Sequence, residues 1–365
     1  MKKRILALFL ILSLLIPLAA PVSTVQAGGD DDSIVAGDEE MRGIWLSIFD
    51  FAPLGLRNKS KAAFTSAFKS FLKKVDNYGV NAVFLQVRAN DDAFWVRDTF
   101  PSISHLSGNT SGAAASDVYR YDPLEIAIDL AHDRGIELHA WINPYRINPT
   151  TYLDPGLPAS QNRVKKAISE ILEYDVDGVH MDDYFYHASG GYVSPSARGS
   201  VYPINLSSQQ KCAYVNQLVK ALYSRCHKED KVFGISPQGN LYNDLAAGAD
   251  VPTWLSKKGY VDYVAPQIYW TDSSRSSLYS TRLAQFASLR KNSAKLYVGL
   301  ALYRAGTSSD DPGWREKNNN LATQVKKLRS AGSEGFLLFS AQYLFSTQTF
   351  AEVKNLAPVM ASEDD

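Results

Sequence analysis

Residues 136–143 read IELHAWIN. Ile136, Leu138, Ala140 and Ile142 alternate with Glu137, His139, Trp141 and Asn143. Successive side chains of an extended strand point to opposite faces, so one face of this segment is wholly apolar and the other is polar and aromatic. The same parity recurs elsewhere. In NAVFLQVR (81–88), Val83, Leu85 and Val87 stand against Phe84, Gln86 and Arg88. In VDYVAPQIY (261–269), Val264 and Ile268 stand against Tyr263, Ala265, Gln267 and Tyr269. In KLYVGLALY (295–303), Leu296, Val298, Leu300 and Leu302 leave Tyr297 and Tyr303 on the other side. A strand in a closed barrel needs this division, with apolar residues towards surrounding helices and a mixed set towards the barrel axis.

Four more runs complete a set of eight: RGIWLSI (42–48), DGVHMDDY (177–184), VFGISPQ (232–238) and GFLLFSA (335–341). Helical patterns separate them, including 61–79, 122–135, 162–175, 207–227 and 321–332. The 122–135 stretch opens with an aspartate cap, has Pro123 in its first turn and ends at Gly135. Strands alternating with helices in this number predict an α/β fold, a single (β/α)8 TIM barrel with long βα loops. The runner-up is an open doubly wound sheet, but no G-x-G-x-x-G follows the first strand.

The N-terminus predicts export. Lys2, Lys3 and Arg4 precede an apolar run from Ile5 to Ala20, and Val25-Gln26-Ala27 makes an A-x-A-like cleavage site. Pro17 interrupts a run already short for a membrane span. The expectation is a signal peptide over 1–27, an acidic leader over 28–40, a barrel over 41–357 and an acidic tail over 358–365. The product would be secreted or held at the cell envelope, without stable membrane insertion after cleavage. Formal charge is zero over the whole chain and becomes three negative once Lys2, Lys3 and Arg4 are removed, which gives no footprint for nucleic acid. Cys212 and Cys226 fall on one helical stretch. Fourteen residues of helix hold them about 21 Å apart, beyond disulfide reach, so they are expected to be unpaired.

The fourth run continues as DGVHMDDYFY (177–186). Val179 and Met181 form its apolar face, so His180, Asp182 and Tyr184 face the axis, and Asp183 is sent to the opposite side. A carboxylate at the C-terminal end of a barrel strand stands where barrel active sites lie. Burying it costs several kcal/mol unless it is paired, with Arg88 and His180 as the available partners. Trp141, Tyr184, Tyr269 and Trp270 nearby suit a ligand cleft. Glu137, inward but early in its strand, reads as buried core polarity, and Asp244 as a solvated loop residue. The segments 108–117 and 187–208 read as long loops on the same side.

The stretches MRGIWLS, NAVFLQVRANDDAFW, YDPLEIAIDLAHDRGIELHAWINPYR, YDVDGVHMDDYFY, GISPQG, VDYVAPQIYW and VGLALYR resemble the bacterial glycosyl-hydrolase-like family 10, from about Met41 to about Leu344. The resemblance implies a (β/α)8 barrel and glycosidase-type activity, with some relatives acting on denuded peptidoglycan glycan strands. It implies Asp182, Asp92 and Asp183 as catalytic carboxylates without settling which is the acid; the expected mechanism makes Asp182 nucleophile or stabilising base. Asp92 is the first choice of acid; Asp183 is the second and needs a bent strand end to reach. The substrate-binding set is Arg88, His139, Trp141, Asn143, Tyr145, Arg146, His180, Tyr184, Gln267, Tyr269, Trp270 and Tyr303. The spacing departs from two better-known barrel patterns: Gly178, His180 and Asp182 put histidine where G-x-R-x-D has arginine, and His180, Asp182 and Tyr184 replace two members of D-x-D-x-E. The expected partner is a polysaccharide or other glycan, with no cofactor and no metal. Two rivals stand beside this reading. One is a carbohydrate-binding barrel without turnover. The other is a metal-dependent hydrolase using His139, His180 and Asp182, although neither histidine lies in an H-x-H or H-E-x-x-H pattern.

Overall fold

The computed structural model describes residues 39–195, 201–307 and 310–361. The expected signal peptide over 1–27 lies outside them, as does most of the acidic leader.

Eight parallel strands close into a barrel: β1 (Met41–Leu46), β2 (Ala82–Arg88), β3 (Glu137–Ile142), β5 (Gly178–Asp182), β7 (Val232–Ser236), β8 (Tyr263–Val264), β9 (Lys295–Leu300) and β10 (Gly335–Phe339). They neighbour one another in that order, and β10 pairs back with β1. The open-sheet alternative is thereby excluded. Two further strands, β4 (Thr151–Leu153) and β6 (Gly191–Val193), pair with each other and tie together the connections that follow β3 and β5. The second of these had been expected as plain loop over 187–208. Strand β8 is far shorter than its apolar run, because Pro266 has no N–H for the ladder. Isolated bridges from Gln267 to Gln238 and Gly299 continue the alignment beyond it.

Helix boundaries follow their local chemistry. Ser60 caps helix 61–76 by accepting from the Ala63 amide. Asp122 caps helix 123–132 through the Leu124 and Glu125 amides, and Pro123 fills the first turn where no amide partner is needed. Ser207 and Gln210 form a capping box at the start of helix 208–227, which carries Cys212 and Cys226 as free thiols. Both ends of the barrel unit extend past the expected limits. Glu40 pairs with Arg329 at 2.7 and 2.8 Å, so the end of the acidic leader is folded onto the barrel. The last helix, Phe350–Ala361, runs through Pro358 and buries Met360, so the boundary at 357 falls inside an element.

The parity expectation holds over most of the barrel. Val83, Leu85, Leu138, Ala140, Val179, Met181, Val264, Val298 and Leu300 belong to the core layer between strands and helices. Trp45, Phe84, Trp141, Tyr263, Tyr297 and Leu337 fill the interior. Small residues make room for these rings: a Cβ on Gly234 would lie 2.1 Å from Tyr263 Cζ. His180 is fully buried among them, and burial holds its imidazole well below the usual pKa. Its Nε2 accepts from Trp45 Nε1 at 3.2 Å, so the neutral ring carries its proton on Nδ1, which faces Tyr263 Oη at 3.0 Å. Gly234→Ala is therefore expected to lower stability by about 1–3 kcal/mol through overpacking. A denaturant midpoint equal to that of the wild type would contradict this account of the interior.

Candidate active site

Strand β5 ends at Asp182 and the chain bends at Asp183. Strict alternation lapses there, and the side chains of Asp182 and Asp183 come within hydrogen-bonding reach of each other. The expectation that they point to opposite faces fails for this reason. Asp182 is 7% exposed. Its Oδ1 accepts from the Asp183 amide at 2.9 Å and from Gln267 Nε2 at 3.0 Å. Gln267 Nε2 also lies 3.1 Å from Ser236 Oγ, which fixes its direction. Burial raises the Asp182 carboxyl above the ordinary range, against the pull of these hydrogen bonds and of Arg146. Asp183 is pushed well above that range by burial, by the charge and hydrogen bond of Asp182, and by Asp244. Two carboxyls so placed favour retention of a proton, with Asp183 the more strongly shifted member.

Asp244 lies behind this pair. It was expected in solvent but is fully buried, on the short helix 241–246 capped by Asn240. Its Oδ1 accepts from the Gln238 amide at 2.8 Å, and its Oδ2 has no partner. Burial raises its carboxyl well above the ordinary range. Gln238 pairs in register with Gln267, whose amide donates to Pro237 O at 2.9 Å. A Cβ on Gly239 would meet Gln267 O at 2.3 Å, so only glycine permits this approach. Asp244 thus secures the segment that holds Gln267, and Gln267 holds Asp182.

Aromatic rings surround the pair. Arg146 lies 4.9 Å over the Tyr184 ring, which stacks in turn against Tyr152 and His187. Tyr269 stacks on Phe339, and Tyr303 meets both rings edge-on. The Trp270 carbonyl is held by Gln324 Nε2 at 2.9 Å. Arg146 Nε and Trp141 Nε1 are buried donors with no hydrogen-bond partner among the described residues. Unsatisfied buried donors are uncommon in folded proteins and suit a ligand rich in acceptors.

Other expected site residues make contacts within the scaffold. A bulge between Gln86 and Arg88 shifts the ladder, so Arg88 aligns with the helix-facing Ile142. Arg88 is fully buried, donates to Asn143 O at 2.6 Å and Pro144 O at 3.0 Å, and pairs with Asp91. It does not face the axis as parity had it. Asn143 is occupied by Gln86 and Ala89 O, and Tyr145 sits in the outer core. His139 stacks on Phe84 inside the barrel and bonds Glu137 at 2.9 Å. Glu137 is 49% exposed at the N-terminal end of its strand, so it is not buried core polarity. Asp92 accepts from the Ala89 and Asn90 amides through one oxygen, closing the turn after β2. Among the described residues, no group of three or more His, Cys, Asp or Glu side chains is placed to hold a metal ion. Trp45, Phe339 and Ser236 were not singled out from the sequence. Extending the parity argument to β1 and β10 reaches the first two.

The profile of the family Glycosyl hydrolase-like 10 matches residues 40–148 and 145–316. The glycosyl hydrolase DigH of Escherichia coli K12 is 29% identical, with 87% of each chain covered. The glycosyl hydrolase YngK of Bacillus subtilis is 30% identical over 75% of this chain and 63% of its own. In fold, the chain is similar to the glycoside hydrolase domain of PgaB from Bordetella bronchiseptica, with TM-score 0.59, 14% identity and 89% of this chain and 100% of that one covered. It is also similar to a Group IV chitinase from Ostrinia furnacalis, with TM-score 0.55, 12% identity and the same coverage.

The scaffold role of Arg88 is testable. Arg88→Met is expected to cost about 2–4 kcal/mol of stability, since it strands two carbonyls and the Asp91 carboxylate. Loss of glycan affinity at unchanged stability would contradict that role.

Proposed function

Because the chain belongs to the glycosyl hydrolase-like 10 family, we propose that it hydrolyses O-glycosidic bonds of a polysaccharide at the mouth built around Asp182 and Asp183. The observation that carries this reading is the adjacent Asp182–Asp183 carboxyl pair, both members raised in pKa, beside aromatic walls. Asp183, held protonated, donates to the leaving-group oxygen. Asp182, whose charged form is favoured by hydrogen bonds from Asp183 and Gln267 and by Arg146, stabilises in that form the oxocarbenium-like charge that develops on the sugar. Carboxyls in contact are nearer than the about 5–5.5 Å of a retaining pair or the about 6.5–9.5 Å of an inverting one. The pair therefore serves as one acid site. The glycosidic C–O bond breaks as Asp183 protonates the leaving oxygen, and a water from the open side of the ring bonds the anomeric carbon. The proton that water releases passes to solvent, from which Asp183 is reprotonated. In this scheme Asp183 replaces Asp92 as donor, since the bonded oxygen of Asp92 is committed to its turn.

For the substrate, the reading favours a glycan of N-acetylated amino sugars, including the glycan strands of peptidoglycan. Support comes from the resemblance in sequence and from the fold shared with chitinases, one of which is bound to allosamidin. Export through the 1–27 leader would bring the enzyme to such a polymer in the cell envelope.

The test is incubation of the mature protein with intact and peptide-stripped peptidoglycan, chitin and plant glycans, with released fragments identified by mass. Wild type is expected to release fragments from at least one amino-sugar glycan. Asp182→Asn and Asp183→Asn are expected to keep binding and lose about 10²- to 10⁴-fold in kcat. Equal turnover by variants and wild type would contradict the assignment; glycan binding without turnover in the wild type would mark a binding barrel. The pH profile adds a signed check. Activity falls on the acid side as Asp182 takes a proton and on the alkaline side as Asp183 loses one. Arg146 lowers the Asp182 pKa. Arg146→Met should therefore move the acid limb to higher pH, and a limb that stays or moves lower would count against the scheme.

A further inference from the structure

Five large apolar side chains are conspicuously exposed among the described residues: Phe49 60%, Val201 61%, Tyr242 81%, Leu278 43% and Phe350 68%. Single exposed apolar residues are ordinary on a protein surface. Their placement here is one-sided. Each follows a barrel strand and precedes or opens the next helix, so all five lie in connections at the C-terminal face, where the Asp182–Asp183 pair stands.

Two of them are rings on firm mounts. Phe49 adjoins Asp50, a fully buried carboxylate that accepts from the Ser47 amide at 2.7 Å, Ser340 Oγ at 2.9 Å and the Gln342 amide at 3.0 Å. These bonds fasten the turn after β1 to the segment after β10. His105 supports the Phe49 ring edge-on at 5.7 Å. Tyr242 lies two residues before buried Asp244, on a helix whose Asn240 cap accepts from the Tyr242 amide at 3.0 Å. A ring whose backbone is fixed before binding loses less freedom on contact.

The ring order of the barrel sets where they stand. From β1 to β7 is four strands in either direction, by β2, β3 and β5 or by β10, β9 and β8. Phe49 and Tyr242 therefore sit at opposite sides of the mouth. The β4–β6 pair walls one flank between them, above β3 and β5.

We propose that Phe49 and Tyr242 are outer stacking platforms for a linear glycan that crosses the mouth and leaves it on both sides. This rests on the proposed function and deepens it: the substrate is a polymer bound away from its ends and cut internally. The apolar faces of sugar rings suit flat aromatic surfaces, and the placement of both platforms on the C-terminal face, on opposite sides of the mouth, selects a chain that already occupies the centre.

The experiment uses the mature protein and glycan strands from peptide-stripped peptidoglycan, fractionated by length. Wild-type affinity is expected to rise with strand length. Phe49→Ala and Tyr242→Ala should each weaken binding of long strands by about two- to tenfold. Together they should abolish most of the length dependence, with unchanged melting, whereas Phe49→Tyr and Tyr242→Phe should restore it. A double alanine variant that binds long strands as wild type does would overturn the proposal. Wild type that shows the length-dependent binding without cleavage would instead overturn only the hydrolytic reading.

Discussion

A buried space of low polarity holds one negative charge far more cheaply than two. At the end of β5 the chain places buried Asp182 beside half-buried Asp183, with Asp244 buried nearby. Both carboxyls are thereby shifted upward from the ordinary range, Asp183 the more strongly. Gln267, aimed by Ser236, and Arg146 favour the charged form of Asp182. For Asp183 a backbone hydrogen bond favours the charged form, and burial, Asp182 and Asp244 outweigh it. Environment alone thus separates two chemically identical side chains into a base-like and an acid-like member.

The barrel supplies the rigidity this separation requires. Its interior below the mouth is packed with rings, and His180 spends both nitrogens on Trp45 and Tyr263. It is therefore part of the floor of the site and not one of its reagents. The upper layer differs in kind. There the polar side chains of Gln86, Asn143, Gln267 and Ser236 bind backbone and one another, while Arg146 Nε and Trp141 Nε1 have no hydrogen-bond partner among the described residues. A stable floor under an unsatisfied rim is the arrangement expected of a site that completes its hydrogen bonds with a ligand.

Much of this was legible in the chain itself. All eight barrel strands coincide with apolar runs, because period-two alternation is a local property that packing then uses. The reading failed where alternation itself fails. The bulge before Arg88 turned that side chain outward, and the strand end at Asp182 let Asp183 swing round to its neighbour. Asp244 was misplaced for another reason: its polarity suggests solvent, and only the tertiary approach of the Gln238 segment to Gln267 buries it. Glu137 erred the opposite way, since an inward residue at the first position of a barrel strand opens to solvent at the barrel's base. Local pattern thus predicted elements and faces, while bulges, strand ends and through-space burial decided the chemistry.

The claim on which the catalytic account stands is a single proton shared by Asp182 and Asp183. Carbon-13 NMR titration of labelled aspartate carboxyls measures it directly. The account predicts that Asp183 stays protonated well beyond the pH at which exposed carboxyls ionise, and that Asp182→Asn returns its titration to lower pH. Two independent titrations in the ordinary carboxylate range, indifferent to that substitution, would contradict it.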